Sequence, residues 1–282
     1  MNKQSNPLDQ VSRDTVCTCQ ECNHDLARDC IKLKCTCCNA DAHSMILDGM
    51  IGYGTAHKKF EKDFKDEVQV SIGSVKLEGD IFIPKNAHGI VLFAHGSGSS
   101  RHSPRNKYVA EVLNKSGLAT LLIDLLTQEE EKIDDQTAHL RFDIDFLSQR
   151  LIGATDWLLK NNETKSLNIG YFGASTGAAA ALVAATHYQN EVKAIVSRGG
   201  RPDLAGPVLH KVKSPTLLIV GGNDYPVIDM NQEAFDKLKT EKKVVIVPGA
   251  THLFEERGTL EIVARLAADW FLIHLAKQGG KY

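Results

Sequence analysis

The stretch LNIGYFGASTGAAAALVAA, Leu167 to Ala185, decides the fold. It opens as a short apolar run with the character of a buried strand, passes through Gly173-Ala174-Ser175-Thr176-Gly177 and closes as an alanine-rich helix. A G-x-S-x-G set between a strand and a helix is the setting of a nucleophile elbow. The serine there stands on a sharp, strained turn, so the positions two before and two after it must be small to clear the neighbouring strands. Gly173 and Gly177 meet that demand. The alanines let the helix pack closely on a sheet, and its amino end favours negative charge near Ser175.

Working outward, the same alternation recurs. Ile90 to Phe93, Ala119 to Ile123, Val192 to Val196, Thr216 to Val220 and Lys243 to Val247 are apolar runs of the kind that form buried parallel strands. Helical patterns separate them at Lys107 to Lys115, Arg141 to Leu159, Thr176 to His187, Asn231 to Lys239 and Leu260 to Leu275. VQVSIG and VKLEGDIFIP, from Val68, predict an antiparallel hairpin turning at Gly73-Ser74. The order predicts an α/β fold, a mostly parallel central sheet with helices on both faces.

A serine hydroxyl needs a base to remove its proton and an acid to hold that base in one tautomer. In this architecture the chain order is Ser, acid, His. Asp224 follows the strand TLLIV in GGND, and His252 follows the strand KVVIV in GATH. Both stand at carboxyl ends of strands, where open α/β sheets collect ligands. Ser175, Asp224 and His252 are therefore the expected catalytic set. Asp124 precedes the serine and is expected to be a helper or structural carboxylate, and Asp229 is the weaker alternative to Asp224. His187, His210 and His274 lie on or beside helices and are expected on the surface or in the core.

An oxyanion hole needs backbone N–H donors. Thr176, next to the nucleophile, is expected to supply one, and Ser97 in the loop His95-Gly-Ser-Gly-Ser-Ser100 the other, with Gly98 as the alternative. Arg101 and Arg105 follow that loop, while Arg198 and Arg201 flank the Gly-Gly after the strand VKAIV. Guanidinium forks pair with carboxylate or phosphate. Arg101, Arg105 and Arg201 are accordingly expected to bind a small or anionic ester or lactone, the alternative being that they pair with acids of the protein such as Asp203.

From about Val68 to Leu275 the chain resembles the dienelactone hydrolase family of α/β-hydrolases, on FAHGSGSS, GYFGASTGAAAAL, LLIVGGNDYPVI and PGATHLFEE. It is especially similar to the hydrolase module that some bacteria carry fused to a phosphoribosyltransferase domain, through HGSGSSRHSPRN and SRGGRPDLAG. The resemblance implies an α/β-hydrolase fold and hydrolysis of esters or lactones through an acyl-enzyme. It also marks a departure. The best-known dienelactone hydrolases use cysteine as nucleophile, whereas this chain has Ser175.

All seven cysteines lie between Cys17 and Cys38. The expected organisation is a flexible tail at 1–16, a small Cys-rich module at 17–43, a connector at 44–66 and the hydrolase domain at 67–278. Two C-x-x-C units, Cys19/Cys22 and Cys35/Cys38, suit a structural zinc ion. Cys17, Cys30, Cys37 and His24 are left over, for a second metal, a redox relay or copper. No organic cofactor is implied. With 43% hydrophobic and 24% charged residues and a formal net charge of −2, the composition is that of a globular protein and disfavours nucleic-acid or membrane partners. No signal-like segment opens the chain and no apolar run nears the roughly 18 residues of a membrane span, so a cytoplasmic location is expected. The expected partner is a small ester or lactone, with a protein partner for the Cys-rich module left open. The alternative function is a metal- or redox-sensing interaction protein on an inactive hydrolase scaffold.

Overall fold

The computed structural model describes residues 62–276. The Cys-rich stretch, including Cys19, Cys22, Cys35 and Cys38, lies outside the described residues.

Eight strands form one sheet: β1 Phe64–Ile72, β2 Val75–Ile83, β3 Ile90–Ala94, β4 Ala119–Ile123, β5 Ile169–Ala174, β6 Val192–Arg198, β7 Thr216–Gly221 and β8 Lys242–Val247. Their order is β1-β2-β4-β3-β5-β6-β7-β8. β1, β2 and β4 pair antiparallel, and every pair from β4 through β3 to β8 is parallel. The hairpin turns at Gly73 with φ 57°, as expected from Gly73-Ser74, and β1 begins at Phe64, inside the segment assigned to the connector.

The helices are α1 Pro104–Lys115, α2 Gln128–Thr137, α3 Ile144–Lys160, α4 Thr176–Ala185, α5 Tyr225–Lys237 and α6 Thr259–Leu275, with 3₁₀ segments at Leu140–Phe142 and Pro202–Lys211. Alternate strand residues feed two separate cores, because successive side chains of a strand point to opposite faces. Leu92, Tyr171, Ile195 and Leu218 pack with α3 and α4 on one face, and Val91, Phe93, Phe172, Val196 and Ile219 pack with α1 and α6 on the other. Burial on both faces explains why β3, β4 and β5 are apolar except at Thr120, whose hydroxyl accepts from the Asn114 side-chain amide at 3.0 Å.

α2 was not legible from periodicity, since its one large apolar side chain, Ile133, is half exposed. A capping box forms it instead: Thr127 Oγ1 accepts from the Glu130 N–H, and Glu130 Oε2 accepts from the Thr127 N–H.

β3 is central: the chain passes from it to β4 on one side and then crosses back to β5 on the other. That switch point opens a crevice at the carboxyl ends of the strands. The elbow glycines are sterically required there. A Cβ on Gly177 would stand 2.3 Å from the Ala94 carbonyl oxygen, and one on Gly173 would stand 2.4 Å from Ala178 Cα. Gly177→Ala is therefore expected to destabilise the fold by roughly 1–3 kcal/mol or more, since the clash is with backbone that has nowhere to move. Urea unfolding would register this, and an unchanged midpoint would contradict the packing.

Candidate active site

Ser175 joins β5 to α4 with φ 49° and ψ −122°, a backbone state that costs a non-glycine residue roughly 1–3 kcal/mol. The surroundings hold it there. The Ser175 N–H donates to the Arg198 carbonyl at 3.3 Å, and its own carbonyl accepts from the Arg201 N–H at 3.0 Å. The Arg198–Arg201 loop after β6 thus clamps both sides of the elbow.

Asp224 and His252 meet across two neighbouring loops. His252 Nδ1 lies 2.7 Å from Asp224 Oδ2. The loops are fastened to each other by the Asn223 N–H on the Ala250 carbonyl, 2.9 Å, and by the Asn223 side-chain amide on the Gly249 carbonyl, 3.1 Å. Gly221 permits the approach, because a Cβ there would come within 2.5 Å of the Ala250 oxygen. With Nδ1–H donated to the carboxylate, His252 presents Nε2 as a proton acceptor. The His252 carbonyl oxygen lies 2.9 Å from where a Cβ of Gly199 would stand. One loop therefore contacts both Ser175 and His252.

The other sequence candidates fall elsewhere. Asp124 accepts from the Arg101 backbone and side chain, a structural role. Asp229 is exposed on α5, and His187 and His210 are exposed. His274 packs against Trp270.

Two groups of expected binding residues need correction. Arg101 pairs with Asp80 and Asp124, and Arg201 grips Asp203 with Nε at 2.9 Å and Nη2 at 2.8 Å. Both guanidinium groups are committed to neighbouring acids. The Ser97 N–H, expected to face an oxyanion, donates instead to the Thr176 hydroxyl at 3.0 Å. That bond ties the loop after β3 to the first residue of α4. Arg105 pairs with the exposed Glu255 at 2.8 Å.

Beside this loop is a cavity of about 90 Å³, lined by His95, Ser97, Thr176, Asp134 and Arg141 among others. Sequence reasoning missed the last two. Burial opposes the charge of Asp134, but bonds from the Arg141 side chain and the Arg141 and Leu140 N–H groups outweigh it and lower its pKa. The Thr127-x-x-Glu130 pattern was the available signal, since α2 carries Asp134. His95 bridges two loops: Nε2 accepts from the Leu125 N–H at 3.0 Å, leaving Nδ1–H for the Gly96 carbonyl at 2.9 Å. Burial lowers its pKa against the opposing pull of that carbonyl, so the ring is neutral.

Among the described residues no helix is long and apolar enough to cross a membrane, and no cluster of three or more His, Cys, Asp or Glu is placed to hold a metal ion.

Comparison with known proteins gives a consistent result. The family model described as the dienelactone hydrolase family matches residues 77–271. A solved dienelactone hydrolase from Anabaena variabilis is 63% identical, with a TM-score of 0.75, covering 76% of this chain and 100% of that one. Two curated relatives from Mycobacterium tuberculosis, provisionally named phosphoribosyl transferases, are 58% identical over 214 residues. That match covers 76% of this chain and 47% of theirs, so the chain spans about half the length of these relatives. Est1E from Butyrivibrio proteoclasticus shares the fold at 17% identity and TM-score 0.63, covering 75% of this chain and 99% of that one.

The neutral His95 has a consequence for pH. Its folded pKa is depressed, so below about 6.5 the unfolded chain takes up a proton that the native ring refuses. Stability is full above that pH and falls as pH drops beneath it, by up to about 1 kcal/mol at one unit lower. His95→Gln keeps a donor and an acceptor without titrating. Urea unfolding at pH 7.5 and 5.5 is expected to show a smaller pH loss in this variant than in wild type, and equal losses would refute the assignment.

Proposed function

The chain belongs to the dienelactone hydrolase family, and we propose that within it this protein is a serine hydrolase of carboxylic esters or lactones that works through an acyl-enzyme. The observation carrying this reading is the 2.7 Å bond between His252 and Asp224, set beside the same loop that clamps the strained Ser175.

In the proposed reaction Ser175 Oγ attacks the ester carbonyl carbon while His252 Nε2 takes the hydroxyl proton. Asp224 stabilises the imidazolium and keeps the ring oriented. Collapse of the tetrahedral intermediate breaks the bond to the leaving oxygen, which receives the proton from His252. Water then enters, loses a proton to His252 and attacks the acyl carbon, and expulsion of Ser175 Oγ with that proton frees the acid.

The negative oxygen needs donors already in place. The first N–H groups of a helix have no partner within it, and the Thr176 N–H at the start of α4 is one of them. The Thr176 hydroxyl supplies a second. Because its oxygen accepts from the Ser97 N–H, its hydrogen is directed away from Ser97 and polarised for donation. Ser97 is thus a positioning residue acting through Thr176.

A fluorophosphonate probe is expected to label wild type and not Ser175→Ala. Absence of labelling in wild type, or persistence in the variant, would remove the hydrolase reading in favour of a binding protein on this scaffold. For the oxyanion assignment, Thr176→Val keeps the side-chain shape and is expected to lower kcat on 4-nitrophenyl butyrate roughly a hundredfold with little change in KM. Thr176→Ser retains the hydroxyl and should recover most of the rate. Equal rates for the two variants would discard the hydroxyl donor.

A further inference from the structure

Arg198 is the least compensated charge near the elbow. It ends β6, two residues beyond Val196, so its side chain projects onto the α1 and α6 face, where Nη2 meets Asn106 Oδ1 of α1 at 3.4 Å. The residue is 7% exposed, and its Nε and Nη1 are buried without a hydrogen-bond partner among the described residues. Every other arginine near the crevice has an acid: Arg101 has Asp80 and Asp124, Arg141 has Asp134 and Asp135, Arg201 has Asp203. The charge that acts on Arg198 is another cation, Arg105, whose own Nε is also buried and unpartnered. Burial first, and Arg105 second, push the Arg198 guanidinium down to about 10, still charged at neutral pH.

A buried guanidinium without a counter-ion destabilises the fold, and a second cation beside it adds to that cost. An anion placed between the two offsets both. Both arginines lie close in the chain or the sheet to the catalytic candidates: the Arg198 carbonyl accepts from the Ser175 N–H, and Arg105 pairs with Glu255, three residues after His252. The first turn of α1 contains no acidic residue, and its amino end adds positive potential on the same side.

We propose that Arg198 and Arg105 form a site for a phosphate-class dianion carried by the ester substrate, and that Glu255 holds Arg105 in its place until the substrate arrives. This rests on the serine-hydrolase reading and names the substrate that reading leaves open. Charge selects the dianion. Once Glu255 is displaced, two cations face one ligand, which matches the roughly two negative charges of a phosphoryl group better than the single charge of a carboxylate. The Arg198 nitrogens are closed from solvent, so the phosphoryl group must replace Glu255 on Arg105 and draw Arg105 aside. Glu255 is well placed to yield, being exposed and paired through a single contact.

Three esters test this at pH 8: neutral 4-nitrophenyl butyrate, the carboxylate mono(4-nitrophenyl) glutarate and the dianion 4-nitrophenyl 4-phosphonobutyrate. Wild type is expected to favour the phosphonate over the neutral ester at least tenfold in kcat/KM, and over the carboxylate as well. That preference should fall at least tenfold in Arg198→Met and in Arg105→Gln, and rise in Glu255→Gln. Arg105 is partly exposed, so its variant decides the matter should Arg198→Met fold poorly. Hydrolysis of the neutral ester with no phosphonate preference, or a preference indifferent to Arg105 and Glu255, overturns the site and leaves the hydrolase standing. Preference for the carboxylate overturns the dianion. Loss of all ester hydrolysis together with absent fluorophosphonate labelling defeats the underlying reading instead.

Discussion

The left-handed backbone at Ser175 is the constraint around which the described structure is arranged. A side chain at φ 49° does not persist in an unsupported turn, and here its peptide groups are bonded to the end of β6 and to the loop that follows it. The same turn admits no Cβ at Gly177, because the end of β3 lies directly against it. The parallel neighbours β3 and β6 therefore press on the elbow from both sides. Central placement of β5 between them is what makes the strain sustainable, and it also fixes where the crevice opens.

Around that point, charge is distributed unevenly. Acids satisfy Arg101, Arg141 and Arg201: the first ties the loop after β3 to β2, the second holds the segment after α2 to that helix, and the third closes on its own loop. Such pairs, partly buried and bonded at several atoms, orient their loops more than they add net stability. The charge with no acid among the described residues is Arg198, on the face opposite α4, beside Arg105, whose acid is the exposed Glu255. The crevice thus has a side of paired charges, around Asp134 and Arg141, and a side with an excess of positive charge.

Much of this was legible in the sequence, for identifiable reasons. The parallel strands announced themselves because burial on both faces demands unbroken apolar runs, and the elbow because sterics leave few residue types at Gly173 and Gly177. The Asp224 and His252 pairing was legible from strand order. What escaped was set by polar contacts between distant segments. α2 has almost no apolar face and is held by its cap and by Asp134, so hydrophobic periodicity was silent. Arg201 has its acid two residues away and that pairing was open to a reading of the sequence, whereas the isolation of Arg198 depends on which side chains the fold brings around it. Likewise the Ser97 N–H is diverted by a hydroxyl distant in sequence, a contact that exists only once β3 and β5 are side by side.

The two fastenings in the site lie on different pairs of strands. Ser175 is anchored to β5 and β6, while Asp224 and His252 are locked together by Asn223 at the ends of β7 and β8. Between these halves runs the β6–β7 ladder, which has four paired residues, against six between β7 and β8. In the proposed reaction the proton crosses that seam. Alignment of base and nucleophile then depends on how β6 and β7 are registered along that short ladder. Substitutions in the apolar layers beneath it, around Val196 and Leu217, would tune reaction geometry without touching a single reacting group.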